Sequence, residues 1–229
     1  MGVKKMELSP KRRLMLHRLE LAYKEWYLPR KAPVILDDRE SVLEFAINHI
    51  GKNSDVTYLE FGVASGWSMN LMSSKLSSPQ TRLVGFDSFE GLPEDWVTSD
   101  GRAGSFDMGG RIPPIDDGRV TFVKGWFQNT VGEFLENLRL TPGEKTLIHF
   151  DADLYSATLF LLSAFWWKIT EYYFIFDEFH NEELIALYDF VSAYPVDIEF
   201  YATSTYKSIH EHPIQIFGKL INRKYERNY

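Results

Sequence analysis

The chain has 229 residues, enough for one substantial α/β domain, and its 45% hydrophobic and 25% charged residues are the proportions of a globule rather than of a disordered chain. A net charge of −7 argues against a surface built to coat nucleic-acid phosphates. Cysteine is absent, which excludes disulfides, thiolate metal sites and a cysteine nucleophile. No long apolar core follows the N-terminal lysines, so a secretory signal is not expected and the cytoplasm is the expected compartment.

Residues 1–30 read as a leading helix, with Ser9 as N-cap and Pro10 at the first helical position. Leu14, Leu19, Tyr23 and Trp26 form a loose apolar stripe beside the basic Lys11, Arg12, Arg13 and Arg18. Such a helix docks on its own domain or on a second copy, so a homodimer through the N-terminal helices is an expectation. Charges of both signs disfavour a membrane surface. Pro29 and Pro33 end the helix. Asp37 and Glu40 are spaced as a capping box for a second helix, with Val42, Phe45, Ala46, His49 and Ile50 on one face and Gly51 as its stop. His49 reads as packed or partly exposed. Residues 1–54 are expected to form a helical cap on a main domain over 55–229.

That domain opens with Val56-Thr57-Tyr58-Leu59-Glu60-Phe61-Gly62-Val63-Ala64-Ser65-Gly66, an apolar strand ending in an acid and a glycine turn. Gly62 permits a sharp turn, and Gly66 a close approach at the start of the next helix, Trp67 to Leu76. The spacing, Glu60-x-Gly62-x-x-x-Gly66, differs from the G-x-G-x-x-G of dinucleotide folds, and its carboxylate suits a cationic ligand rather than a diphosphate. A second strand, Arg82-Leu83-Val84-Gly85-Phe86-Asp87, ends in an acid able to accept hydrogen bonds from ribose hydroxyls.

The Gly-, Asp- and Pro-rich segment 88–118 is expected to be a lid with short helical turns. Within it, Phe89 and Trp96 either close over a ligand or anchor the loop to the core. Val120 to Lys124 is the third strand, and Trp126 or Phe127 in the turn Gly125-Trp126-Phe127-Gln128 could pack on an adenine. A helix over Thr130 to Leu138 leads to the fourth strand, Thr146 to Phe150, which runs into Asp151 and Asp153. Ser156 to Lys168 is an apolar helix too short to span a bilayer. The fifth strand, from Glu171, ends in Asp177-Glu178-Phe179-His180. Asp151, Asp153, Asp177 and Glu178 thus gather at one sheet edge, where repelling acids need a cation or hydrogen-bond donors. Mg²⁺ suits such oxygens; helix capping is the other account. After a helix over Glu182 to Tyr194, two strands, Ile198–Thr203 and Pro213–Leu220, form a hairpin whose loop carries His210 and His212, expected to be solvated. A polar tail, Asn222 to Tyr229, follows.

The expected fold is α/β: one Rossmann-like domain with a mostly parallel seven-stranded sheet, a C-terminal antiparallel hairpin and helices on both faces.

From about Asp55 to Thr203 the chain resembles the macrocin O-methyltransferase family of class I S-adenosylmethionine (SAM) methyltransferases. The resemblance rests on Tyr58-Leu59-Glu60-Phe61-Gly62-Val63, Phe86-Asp87-Ser88-Phe89-Glu90-Gly91-Leu92-Pro93, Lys124-Gly125-Trp126-Phe127, Asp151-Ala152-Asp153-Leu154-Tyr155-Ser156-Ala157-Thr158, and Asp177-Glu178. It implies SAM as cofactor, Mg²⁺, and a hydroxyl of a sugar or other small natural-product molecule as acceptor. Position by position it implies Glu60, Gly62, Asp87, Ser88 and Gly125 at the cofactor. Ala64, Ser65, Gly66, Phe89, Trp126, Phe127 and Asp151 complete the expected cofactor set. Asp151, Asp177 and Glu178 are implied at the metal, where the family has an aspartate at the position of Glu178. Asp151 is the first candidate for the base and His180 the second. The chain is also similar to catechol O-methyltransferase in its layout of acids, but Leu154 stands where that enzyme has its lysine base. Other readings are a metal-independent methyltransferase using His180 or His149, a SAM-binding module without catalysis, and an NAD-dependent dehydrogenase, which the glycine spacing disfavours.

Overall fold

Short apolar runs alternate with helices along this chain, and they assemble into a single eight-stranded sheet. The structure is a computed structural model that describes residues 8–206 and 209–223, with backbone only at 206 and 209–211. The strands are β1 (Val34–Leu36), β2 (Val56–Phe61), β3 (Arg82–Asp87), β4 (Val120–Lys124), β5 (Lys145–Phe150), β6 (Glu171–Phe176), β7 (Val196–Tyr206) and β8 (Ile209–Asn222). The helices are α1 (Pro10–Leu21), α2 (Arg39–Ile50), α3 (Trp67–Lys75), α4 (Phe127–Asn137), α5 (Tyr155–Trp166) and α6 (Glu182–Ala193). The spatial order is β1-β7-β8-β6-β5-β2-β3-β4, with β8 antiparallel to β6 and β7 and every other pairing parallel. Chain order therefore reverses at β2, which lies between β3 and β5, and the helices that follow β2 and β5 cover opposite faces of the sheet, the switch point at which such folds form a crevice.

Strand alternation assigns the two cores. Leu59, Phe61, Ile148 and Phe150 pack with α4, α5, α6 and the segment after α1. Val56, Tyr58, Leu83 and Leu147 pack with α2 and α3 on the other face. At the carboxyl end, register places Phe86, Phe61, Phe150 and Phe176 side by side on four neighbouring strands. Their rings stack at centroid distances of 4.5, 6.4 and 4.7 Å, forming a rigid apolar floor one residue below the loops of the crevice.

Four expectations are corrected. The sheet has eight strands rather than seven, because Val34–Leu36 pairs in parallel with Ala202–Ser204 at the edge; three residues are too few to show periodicity. The cap of α2 is Asp38, whose carboxylate accepts from Ser41 N at 2.8 Å, rather than Asp37. The lid 88–118 carries no helix; single hydrogen-bonded turns, as at Arg102–Ser105, bends and one Glu90–Asp107 bridge shape it. The hairpin strands run to Tyr206 and from Ile209, so His210 and His212 fall within β8 rather than in a loop. His212 is exposed yet stacks on Tyr23 at 4.1 Å, and the His210 side chain lies outside the described residues.

Ser9 caps α1 by accepting from Arg12 N, as its spacing predicts. Of the expected stripe, Leu14 is 59% exposed, whereas Tyr23 is buried and Leu19 and Trp26 pack against the core; Met15 and Ala22 are buried as well. Residues 224–229, within the expected polar tail, and the first seven residues lie outside the described chain. No described helix is long and apolar enough to cross a membrane.

Candidate active site

Backbone hydrogen bonds extend each strand's ladder one residue into its loop. Gly62 N donates to Phe86 O at 3.0 Å, Asp151 N to Phe61 O at 2.9 Å, Asp177 N to Phe150 O at 3.0 Å and Gly125 N to Asp87 O at 2.9 Å. The loop residues thereby start from fixed positions on the phenylalanine floor. Above it lies a cavity of about 260 Å³.

Gly62 is held at φ +99°, and a Cβ there would stand 1.8 Å from Asp151 O, so the turn after β2 packs directly on the chain leaving β5. Only glycine permits both. Asp87 organises this turn. Its Oδ2 accepts from Val63 N at 2.9 Å and Ala64 N at 2.8 Å, while Oδ1 accepts from Phe89 N at 2.7 Å. One carboxylate thus joins the glycine turn to the start of the lid, and it still faces the cavity.

Of the residues expected at the cofactor, Gly62, Ala64, Asp87, Ser88, Gly125, Trp126, Phe127 and Asp151 line the cavity. Glu60, Ser65, Gly66 and Phe89 do not. Strand alternation explains Glu60: it points to the α2–α3 face, fully buried, and accepts from Ser68 Oγ at 2.6 Å and Tyr58 OH at 2.7 Å. Burial pushes its pKa up, and His149, Ser68 and Tyr58 pull against that. Gly66 meets the lid: a Cβ there would touch Pro113 at 2.9 Å. Phe89 is fully buried, edge-on to Phe122, and so anchors the lid. Trp96 is buried, belongs to the core and also lines the cavity.

Asp151, Asp153, Asp177 and Glu178 all line the same cavity. Burial, then Asp177, raises the Asp151 pKa well above the usual carboxylate range, against the pull of Arg39. Burial, then Glu178 and Asp177, pushes Asp153 up to about 8. Burial, then Asp177, pushes Glu178 up to about 7. Glu183, fully buried in α6, positions the loops beneath them by accepting from Glu178 N at 2.9 Å and Ala152 N at 3.3 Å. His180 is half-buried and does not line the cavity; its Nδ1 lies 3.4 Å from Glu178 Oε2. Burial lowers its pKa, with a further push from His212.

Sequence reasoning missed Arg39. It is the first residue of α2, and its guanidinium joins two of the acids. Nη2 lies 2.7 Å from Asp151 Oδ2 and Nε 2.7 Å from Asp177 Oδ1, while the Trp67 ring centroid is 5.0 Å away. His149, expected only as an alternative base, is fully buried, with Nδ1 2.8 Å from Tyr58 OH and Nε2 3.5 Å from Asp177 Oδ1. No local sequence signal separates Arg39 from other helix-start arginines, because its partners lie more than a hundred residues downstream.

These contacts test the fit of the divalent ion that the resemblance implies. Among the described residues, the three side chains whose ligand atoms come within 4.8 Å of one another are His149, Asp151 and Asp177. Glu178 instead faces His180 and Asn181. Of the oxygens a metal would use, Asp151 Oδ2 accepts a hydrogen bond from Arg39 Nη2, and Asp177 Oδ1 lies 2.7 Å from Arg39 Nε as an ion pair without hydrogen-bond geometry. A divalent ion does not fit the arrangement of these side chains, because it would meet a fixed positive charge.

No protein-family model matches the chain, and no curated protein matches it. Solved structures do. The O-methyltransferase NovP is 17% identical, with 90% of this chain and 98% of that one covered and a TM-score of 0.51. An O-methyltransferase from Bacillus cereus in complex with SAH is 13% identical over 96% and 94%, with a TM-score of 0.48. The O-methyltransferase TomG from Streptomyces achromogenes, in complex with SAM, is 12% identical over 96% and 92%, with a TM-score of 0.45. The chain has the Rossmann-like α/β fold of NovP.

Proposed function

We propose that this protein is a SAM-dependent O-methyltransferase acting on a hydroxyl of a small-molecule acceptor, as the resemblance to the macrocin O-methyltransferases implies, but without their metal. The observation that carries the reading is one cavity at the switch point of the sheet, lined together by Gly62, Asp87, Trp126, Phe127 and the acids after β5 and β6. In this reading Asp87 takes the ribose, Trp126 or Phe127 packs on the adenine, and the acidic rim faces the sulfonium. Solved methyltransferases of this fold carry SAM or SAH.

Held by Gly62, Asp87 and Trp126 or Phe127, SAM would supply an electrophilic methyl group to the acceptor oxygen, with S-adenosylhomocysteine as the leaving thioether. The hydroxyl proton passes to an Asp151 carboxylate oxygen, more basic than an exposed one because of its burial. His180 would need to reach the cavity to act as base instead. Positioning the two reactants in line supplies much of the rate. Magnesium has no step here, since Arg39 already bridges Asp151 and Asp177.

Calorimetry with SAM, SAH and NAD⁺ tests the cofactor. SAM and SAH should bind one per chain and NAD⁺ should not. Asp87→Ala should weaken SAH by about tenfold to a hundredfold, the loss of a charged hydrogen-bond acceptor. Failure of SAM and SAH to bind would overturn the reading. SAH release with a panel of hydroxylated acceptors separates an enzyme from a SAM-binding module.

A further inference from the structure

We propose that Arg39 is the resident cation of the acidic site: its guanidinium takes the position between Asp151 and Asp177 that a divalent ion would occupy, and so keeps metal out. This holds whether or not methyl transfer is the reaction.

Three features place the guanidinium. The start of α2 is set by Asp38, which accepts from both Ser41 N and Ser41 Oγ, at 2.8 and 2.7 Å, so Arg39 leaves the backbone at a fixed point. Its Nη2 donates to Asp151 Oδ2 at 2.7 Å and its Nε forms an ion pair with Asp177 Oδ1 at 2.7 Å, on the loops after neighbouring strands β5 and β6. The planar fork suits such a span, whereas a lysine ammonium acts as a single point charge. Trp67, at the start of α3, lies against the guanidinium.

The charge is permanent. An arginine does not deprotonate in this pH range, and although burial opposes its charge, Asp151 and Asp177 outweigh that. A divalent ion coordinates carboxylate oxygens at about 2.0–2.6 Å, so on these same oxygens it would sit against the guanidinium with little solvent between them. Like-charge repulsion then opposes binding.

Removing Arg39 should expose a ligand set. His149 Nε2 is buried without a hydrogen-bond partner, and it lies with Asp151 and Asp177 oxygens within 4.8 Å. Tyr58 holds the other ring nitrogen, as the outer partner of a metal-ligating histidine does.

Mn²⁺ titration of the full chain, followed by the EPR signal of the free ion, tests this. The wild type should show no specific Mn²⁺ site below the millimolar range, and millimolar Mg²⁺ should leave its melting temperature unchanged. Arg39→Met keeps length and loses charge; it should gain one Mn²⁺ site at least about tenfold tighter than any in the wild type. Adding Asp151→Asn to that variant should remove the site. A micromolar Mn²⁺ site in the wild type that Asp151→Asn abolishes would overturn the proposal. So would a folded Arg39→Met that binds Mn²⁺ no better. If Arg39→Met does not fold, the wild-type titration with and without Asp151→Asn decides alone.

Discussion

Gly62 and Gly132 show how one residue type carries opposite consequences. Gly62 combines φ +99° with a backbone oxygen 1.8 Å from where a Cβ would be. Gly62→Ala should therefore cost about 3 kcal/mol or more, from backbone strain plus overpacking, and should weaken SAH binding by displacing Asp151. Gly132 lies within α4, and a Cβ there meets nothing within 4 Å. Gly132→Ala should stabilise by about 0.5–1 kcal/mol. Urea denaturation of the two variants measures both signs. Glu60 carries a similar lesson. Its position after an apolar strand reads as a cofactor carboxylate, yet the same alternation that faces Phe61 to α5 turns Glu60 towards Ser68 and Tyr58. Its effect on the cavity therefore runs through packing, and Glu60→Gln should lower stability more than it lowers affinity for SAH.

Among the elements, the lid is held at several points. Lys11–Glu94 at 4.0 Å and Arg12–Asp100 at 3.5 Å tie it to α1 across exposed ion pairs. Inside, Glu182 of α6 is buried and accepts from Thr98 N at 3.0 Å and from Tyr155 N, at the start of α5, at 2.9 Å. Exposed pairs are worth about 0–1 kcal/mol each, whereas stranding the part-buried amides of Thr98 and Tyr155 costs about 1–3 kcal/mol. Glu182→Ala should thus destabilise the chain by about 1–3 kcal/mol and speed amide exchange around Thr98. The double change Lys11→Ala, Arg12→Ala should move either quantity little. Hydrogen exchange read by mass spectrometry distinguishes the two; equal protection in all three proteins would show that neither Glu182 nor the exposed ion pairs hold the lid.

For the whole molecule, the acidic rim sets a pH dependence. Asp153 and Glu178 have folded-state pKa values of about 8 and about 7, above the carboxylate values of 3.8 and 4.5. A raised carboxylate contributes stability that is complete below its unfolded pKa and lost as pH rises through the folded one. The melting temperature of the ligand-free protein should therefore fall between about pH 4 and about pH 8 from these groups, and Asp153→Asn should flatten that fall. A cationic cofactor at the rim should flatten it too. A wild-type profile that Asp153→Asn leaves unaltered would show that the rim is neutralised by other means.

The amino-acid sequence by itself determined the order of elements, the glycine turn, and the gathering of Asp87, Asp151, Asp177 and Glu178 at one edge, because strand ends and turn residues are local signals and parallel sheets align their carboxyl ends. The tertiary structure alone decided which way each side chain near that edge points, and what meets it. Glu60 turned inward, Phe89 became an anchor, and Arg39, 112 residues from Asp151, entered the acid pair. Such contacts follow from packing between elements distant in sequence, and a buried carboxylate pair is relieved by whichever cation the fold brings closest.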